Sequence, residues 1–215
     1  MTTIFESSAT QISALLLDIG AIKLNPENPF TWSSGWKSPV YCDNRLALSY
    51  PEKRTYIKEA LTSAVQNNFP DAESIAGVAT AGIAQGALVA DKLSLPFLYV
   101  RPKPKDHGMQ NLIEGKIVPG QKVVLIEDLV STGGSSIKAA EALRDAGFNV
   151  IGMVAIFTYG FENAINNFHD ANIRLVCLSD FSHLVKEAVR LNYMDSGQLD
   201  FVSRWSEDPA NWNKS

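Results

Sequence analysis

Beyond residue 74 the chain alternates short apolar runs with segments of helical periodicity. The runs Ser74–Ala79, Phe97–Val100, Val123–Glu127, Val150–Phe157 and Ile173–Leu178 are apolar without strict in-and-out alternation, which is how strands buried on both faces read. Between them, Ile83–Lys92, Ser135–Ala146, Phe161–Asn167 and Phe181–Leu191 carry apolar residues at helical spacing. This rhythm predicts an α/β fold: a parallel twisted sheet with helices on both faces. Ligands of such sheets bind beyond the carboxyl ends of the strands, so chemistry is expected in the loops after Ala79, Val100 and Glu127.

The first seventy or so residues follow another pattern. Ile12, Leu15, Leu16 and Ile19 share one helical face, and Gly20 can end that helix. A stretch dense in turn formers follows, from Asn25 to Pro39, with room for short strands at Phe30–Trp32 and Val40–Asp43. A second helix is predicted from Pro51, a favoured first-turn residue, with Ile57, Leu61, Ala64 and Val65 on its inner face. We therefore expect one domain over residues 1–215: a small N-terminal hood lobe with helices to about residue 70, and a core over about 71–195. The tail from Phe201 to Ser215 is polar with two tryptophans and reads as a docked or frayed end.

Composition narrows the function classes. A hydrophobic fraction of 46% over 215 residues is enough for one sizeable core. A net charge of -4 argues against a general nucleic-acid surface, though not against a local basic site for a phosphorylated small molecule. The two cysteines, Cys42 and Cys177, give neither a disulfide framework nor metal-ligand spacing. Residues Met1 to Ser8 lack the basic start and apolar run of a leader, and no stretch approaches the roughly 18 apolar residues of a membrane span. A cytoplasmic protein is the expectation.

The strongest chemical signal runs from Val123 to Ser136. Four apolar residues lead into the adjacent carboxylates Glu127 and Asp128, then a hydroxyl- and glycine-rich turn, then a helix start. Gly133 and Gly134 let backbone approach a ligand closely. Amides of the turn and helix N-terminus make a phosphate cradle, with Ser131, Thr132 and Ser135 as hydroxyl donors. The carboxylates can accept from sugar hydroxyls or hold water on a magnesium ion. The segment has neither the lysine of a P-loop nor the glycine spacing of a dinucleotide fingerprint. It resembles the phosphoribosyl pyrophosphate (PRPP) motif of type I phosphoribosyltransferases. That resemblance implies a type I phosphoribosyltransferase-like core, with Glu127 and Asp128 on the ribose hydroxyls. It also implies that Val130, Ser131, Thr132, Gly133, Gly134 and Ser135 wrap the 5-phosphate, with Leu129 in the same substrate-binding segment.

A second signal, Arg101-Pro-Lys-Pro-Lys-Asp-His-Gly, concentrates cations in an acidic chain. A polar loop with glycine suits a lid that closes over departing pyrophosphate and excludes water. It resembles the Arg-Lys-x-x-Lys-x-His-Gly loop of orotate phosphoribosyltransferases. Arg101, Lys105, His107 and Gly108 match, and Arg101, Lys105 and His107 are the expected catalytic residues. Pro102 stands where that family commonly has lysine, and Lys103 is the candidate substitute.

Supporting segments resemble the same family. The segment Phe30-Thr-Trp-Ser-Ser-Gly-Trp-Lys-Ser-Pro-Val-Tyr-Cys-Asp-Asn-Arg45 looks like its hood over the base, with Ser33 where some relatives carry a substrate-touching lysine. Gly77-Val-Ala-Thr-Ala-Gly looks like its pyrophosphate loop, with Ala81 where some carry lysine. Phe157-Thr-Tyr-Gly-Phe161 lacks the arginine that some place on orotate, so orotate contacts fall to backbone groups and Ser131. His169 and His183 read as surface or packing histidines, and the cysteines as small buried apolar residues.

The resemblance implies transfer of the phosphoribosyl group of PRPP to orotate, with Mg2+ bound mainly through PRPP rather than by dedicated protein ligands. It also implies a homodimer with shared active sites, and no nucleic-acid or membrane partner. Two rivals remain open at this level: a phosphoribosyltransferase for another base, and a regulator that keeps the fold but binds nucleic acid.

Overall fold

The computed structural model describes residues 2–32, 35–103 and 112–212. In chain order its strands are β1 (Thr2–Ile4), β2 (Ile22–Leu24), β3 (Phe30–Thr31), β4 (Lys37–Ser38), β5 (Val40–Cys42), β6 (Ser74–Val78), β7 (Phe97–Val100), β8 (Ile113–Glu114), β9 (Lys122–Val130), β10 (Asn149–Thr158) and β11 (Leu175–Asp180). Its helices are α1 (Glu6–Asp18), α2 (Pro51–Asn68), α3 (Ala81–Leu93), α4 (Gly134–Asp145), α5 (Glu162–Asp170), α6 (Phe181–Arg190) and α7 (Leu199–Glu207). A 3-10 turn covers Asn44–Ser49.

Among the described residues, seven strands make the main sheet in the order β1-β11-β10-β9-β6-β7-β8. Every pairing is parallel except β7 with β8. The predicted α/β architecture is present, and its central strands are buried in unbroken runs, Val123–Glu127 in β9 and Gly152–Thr158 in β10.

Strand order explains where a ligand can sit. From β6 the chain passes through α3 to β7 on one side. From β9 it passes through α4 to β10 and through α5 to β11 on the other. Right-handed crossovers taken in opposite directions put α3 on one face and α4 with α5 on the other. Contacts agree: α1, α2 and α3 touch in succession, and α4 touches α5. Because β6 and β9 are neighbours, their loops diverge and leave a crevice beyond their carboxyl ends.

The expected elements shift in informative ways. β9 runs past Glu127 to Val130, so the two acids lie within the strand rather than in the loop after it. The extension is fixed by its neighbour: the Thr158 hydroxyl and the Tyr159 amide both donate to the Val130 carbonyl, at 3.1 and 3.3 Å. Short strands absent from the sequence reading complete the edges: β1 beside β11, β8 beside β7, and β2 and β4 in the hood. The tail is a docked helix. Val202 and Trp205 of α7 are fully buried, and the Trp212 indole donates to the Phe201 carbonyl at 3.0 Å.

Two antiparallel ribbons, β2 with β5 and β3 with β4, together with the Asn44–Ser49 turn, make the hood. α2 begins where expected, with Pro51 in its first turn and Glu52 beside its positive end.

Candidate active site

The crevice between β6 and β9 opens into two adjoining clefts. One, of about 300 Å³, is lined by Cys42, Asp43, Arg45, Ala79, Ala81, Glu127, Asp128, Leu129 and Ser135. The other, of about 650 Å³, lies between α4 and the end of β7, with Ala79 and Ser135 shared and with Arg101, Leu112 and Lys138 on its walls. The expected acids thus line one cleft and the root of the basic loop the other, with Ala79 and Ser135, at the helix start, common to both.

Glu127 is 5% exposed and held at both oxygens. Its Oε1 accepts the Asp128 amide at 3.0 Å, and its Oε2 accepts the Ser136 hydroxyl at 2.9 Å. Asp128 is half-buried. Its backbone carbonyl accepts the Asn44 side-chain amide at 2.7 Å, which fastens the hood to β9. Burial, and then the charge of Asp128, push the Glu127 carboxyl well above its usual range. Burial also raises Asp128. Two carboxyl groups in one partly dry site resist simultaneous ionisation. Such a pair is primed for a ligand that brings hydroxyl donors or positive charge.

Beyond the pair, residues 131–133 bend, and Gly133 takes a left-handed conformation with φ 81°. A side chain there would be strained by that φ and would meet the Phe168 ring, 2.7 Å from the position of its Cβ. The Asn167 amide braces the turn by donating to the Thr132 carbonyl at 3.1 Å. Among the described residues no side chain caps α4, so its first-turn amides at Gly134 and Ser135 face the cleft with the positive end of the helix behind them. Such a helix start can hold an anion, and it lies next to two carboxyl groups that can accept from hydroxyl donors.

The opposite wall is the start of α3. A Cβ on Gly82 would overlap the Ile126 carbonyl oxygen, so only glycine lets this helix press against β9. The Ala79–Thr80 peptide bond is cis, and both Ala79 and Ala81 line the cleft.

Of the basic loop, the structure describes the root. Arg101 leaves β7, its amide donates to the Leu112 carbonyl at 2.8 Å, and its guanidinium pairs with Glu114 at 3.3 Å. Lys103 is described, while Lys105, His107 and Gly108 lie outside the described residues, as do Ser33 and Ser34 of the hood. Asp43 and Arg45 form a two-pronged pair at 2.6 and 2.9 Å on the hood side of the cleft. The Arg45 guanidinium lowers the Asp43 carboxyl. His183 joins Asp180 at 2.8 Å and Glu6 at 3.3 Å, away from the cleft.

Sequence reasoning missed Asn44, Ser136 and Asn167. Ser136 carried a signal, as the last hydroxyl of the Gly-Gly-Ser-Ser run. Asn44 and Asn167 reach the site across 84 and 35 residues and carried none.

Comparison with known proteins agrees with this geometry. The family model of the phosphoribosyl transferase domain matches residues 52–180. The orotate phosphoribosyltransferase of Cytophaga hutchinsonii is 56% identical over 204 residues, covering 95% of this chain and 98% of that one. The crystal structure of orotate phosphoribosyltransferase from Aeropyrum pernix superposes with a TM-score of 0.74 at 29% identity, over 85% of this chain and 99% of that one. The structure of Leishmania donovani UMP synthase gives a TM-score of 0.77 at 24% identity. It covers 94% of this chain but only 43% of that longer one, and it speaks for the fold alone.

Proposed function

The chain belongs to the phosphoribosyltransferase family, and on that premise we propose how its residues divide the work. It transfers the 5-phosphoribosyl group of PRPP to orotate, giving orotidine 5-phosphate and pyrophosphate, a step of de novo pyrimidine (UMP) biosynthesis. The observation that carries the residue assignment is the meeting of the Glu127–Asp128 pair with the α4 N-terminus on one cleft at the strand-order switch.

In this reading the amides of residues 131–135 hold the 5-phosphate, and Glu127 and Asp128 accept from the ribose hydroxyls. Ser131, together with backbone groups, holds orotate under the hood. Nitrogen 1 of orotate attacks the anomeric carbon as the bond to pyrophosphate breaks; pyrophosphate keeps the electron pair and leaves with the proton that nitrogen 1 gives up. The carboxylates favour the cation-like ribose by their charge. Arg101 steadies the root of the basic loop, and Lys105 and His107 supply donors to the leaving pyrophosphate. No covalent nucleophile is needed, so positioning and electrostatics supply the rate gain.

The acid pair fits magnesium that arrives on its substrate. Among the described residues no cluster of three or more His, Cys, Asp or Glu stands ready for a metal, while one or two carboxylates beside substrate oxygens suit this ion. Asp128 and Glu127 would hold it with PRPP, and when bound it offsets the charge of pyrophosphate. We further propose a homodimer whose basic loops serve shared sites, and a cytoplasmic location. The free thiols of Cys42 and Cys177 support that location. Among the described residues no helix is long and apolar enough to cross a membrane.

The test is an assay of the pure protein with PRPP, magnesium and, in turn, orotate, uracil and adenine. Orotate-dependent pyrophosphate release is the expected result. Release with another base alone would overturn the substrate assignment.

A further inference from the structure

The C-terminal helix sits behind the hood and not at the cleft, yet it touches both the hood and the segment that follows β10. Trp205 of α7 is 0% exposed. Its indole N–H donates to the Lys37 carbonyl in β4 at 3.1 Å. Its ring meets Trp32 of the hood at 5.4 Å and Tyr159, just past β10, at 5.3 Å. Each contact leads on to the site. Trp32 donates to the Val40 carbonyl at 3.3 Å, and β5 carries that link to Cys42 and Asn44 beside Asp128. Tyr159 is tied by its amide to the Val130 carbonyl, at the start of the phosphate turn.

We infer that α7 is a strap, with Trp205 a positioning residue that fixes the distance between the hood and the end of β9, and so sets the slot for the base. The inference rests on the reading that orotate lies under the hood. The 5-phosphate cradle and acid pair are built on β9 and α4, and the strap reaches them only at second hand, through Asn44 and through Tyr159. Loosening the strap therefore disturbs the base more than PRPP. A base displaced by a fraction of an ångström loses alignment of its attacking nitrogen, so kcat falls together with affinity for the base.

The experiment uses the full chain with Trp205→Phe, which keeps an aromatic ring but removes the bond to Lys37. KM for orotate is expected to rise about fivefold, as the base loses its fit in a slightly displaced slot. KM for PRPP, and the upward shift of Tm that PRPP produces, change by about twofold at most, because the bond from Asn44 to Asp128 itself is intact. Trp32→Phe, which cuts the neighbouring link to Val40, must show the same selective rise. This keeps the test decisive if the first variant folds poorly. Equal rises in both KM values, or no rise in either variant, would overturn the strap. A wild-type protein that consumes no PRPP with orotate would instead overturn the proposed reaction, so the two failures are distinct.

Discussion

The side-chain amide of Asn44 donates to the backbone carbonyl of Asp128 at 2.7 Å, joining the hood to the strand that carries the acid pair. Asn44 is buried, and the Cys42 thiol donates to its other end at 3.2 Å. This bond braces the backbone of Asp128 in the proposed sugar site from the hood side. Asn44→Ala leaves the Asp128 carbonyl without this donor. It should cost about 1–3 kcal/mol of stability and weaken PRPP binding about tenfold, the shift that goes with 1.4 kcal/mol. Thermal melts and PRPP titration check this, and unchanged PRPP affinity would detach the hood from the sugar site.

Glu127 makes stability depend on pH with a definite sign. Its carboxyl is raised on folding by burial first and by the Asp128 charge second, from an ordinary value of 4.5. The folded state therefore holds this proton more tightly than the unfolded chain. Its contribution favours the fold below the unfolded value and is lost as pH rises through the folded one. Glu127→Gln removes the ionisation while keeping the shape. Its Tm relative to wild type should climb as pH increases above about 4.5. Melting curves at several pH values test this, and a Tm difference flat with pH would mean that Glu127 ionises at no cost.

Gly82 is predicted to tolerate no side chain. The Ile126 carbonyl occupies the place of a Cβ, and backbone on both sides blocks relaxation. Gly82→Ala should destabilise by about 3 kcal/mol, the upper end for overpacking. Gly134 has open space at the same distance, so Gly134→Ala is the steric control. Comparable Tm losses in the two variants would show that α3 can shift away from β9.

What the sequence displays is local. The apolar runs of β6, β7, β9, β10 and β11 and the helices between them are legible because burial on two faces leaves continuous apolar stretches. The acid pair, the glycine turn and the helix start are adjacent in the chain, so this strand–turn–helix unit reads directly. Edge strands of three and two residues, such as Thr2–Ile4 and Ile113–Glu114, are too short to show a period. The sequence places the end of β9 at Glu127, because paired acids look like loop formers. Thr158 and Tyr159, hydrogen-bonded to Val130, keep the strand paired for three more residues. The links from Asn44 to Asp128 and from Trp205 to Lys37 span 84 and 168 residues. Polar contacts of such range leave no trace in spacing or composition.

The basic loop gives the last prediction. Lys105 belongs to a cation-rich segment of an acidic chain, and its proposed task is to stabilise the charge on departing pyrophosphate. Lys105→Ala should therefore lower kcat by about 10²–10³-fold, with little change in Tm. Asp128→Asn should act instead on PRPP affinity, because it removes a charge beside the ribose. If each loop completes the neighbouring subunit's site, chains carrying the two substitutions complement each other when co-expressed. A hybrid dimer then has one site with both changes and one with neither. Random pairing should restore about a quarter of wild-type activity, since half the dimers are hybrids with one intact site each. Activity no higher than that of the separate variants would place each loop over its own chain's cleft and remove the shared site.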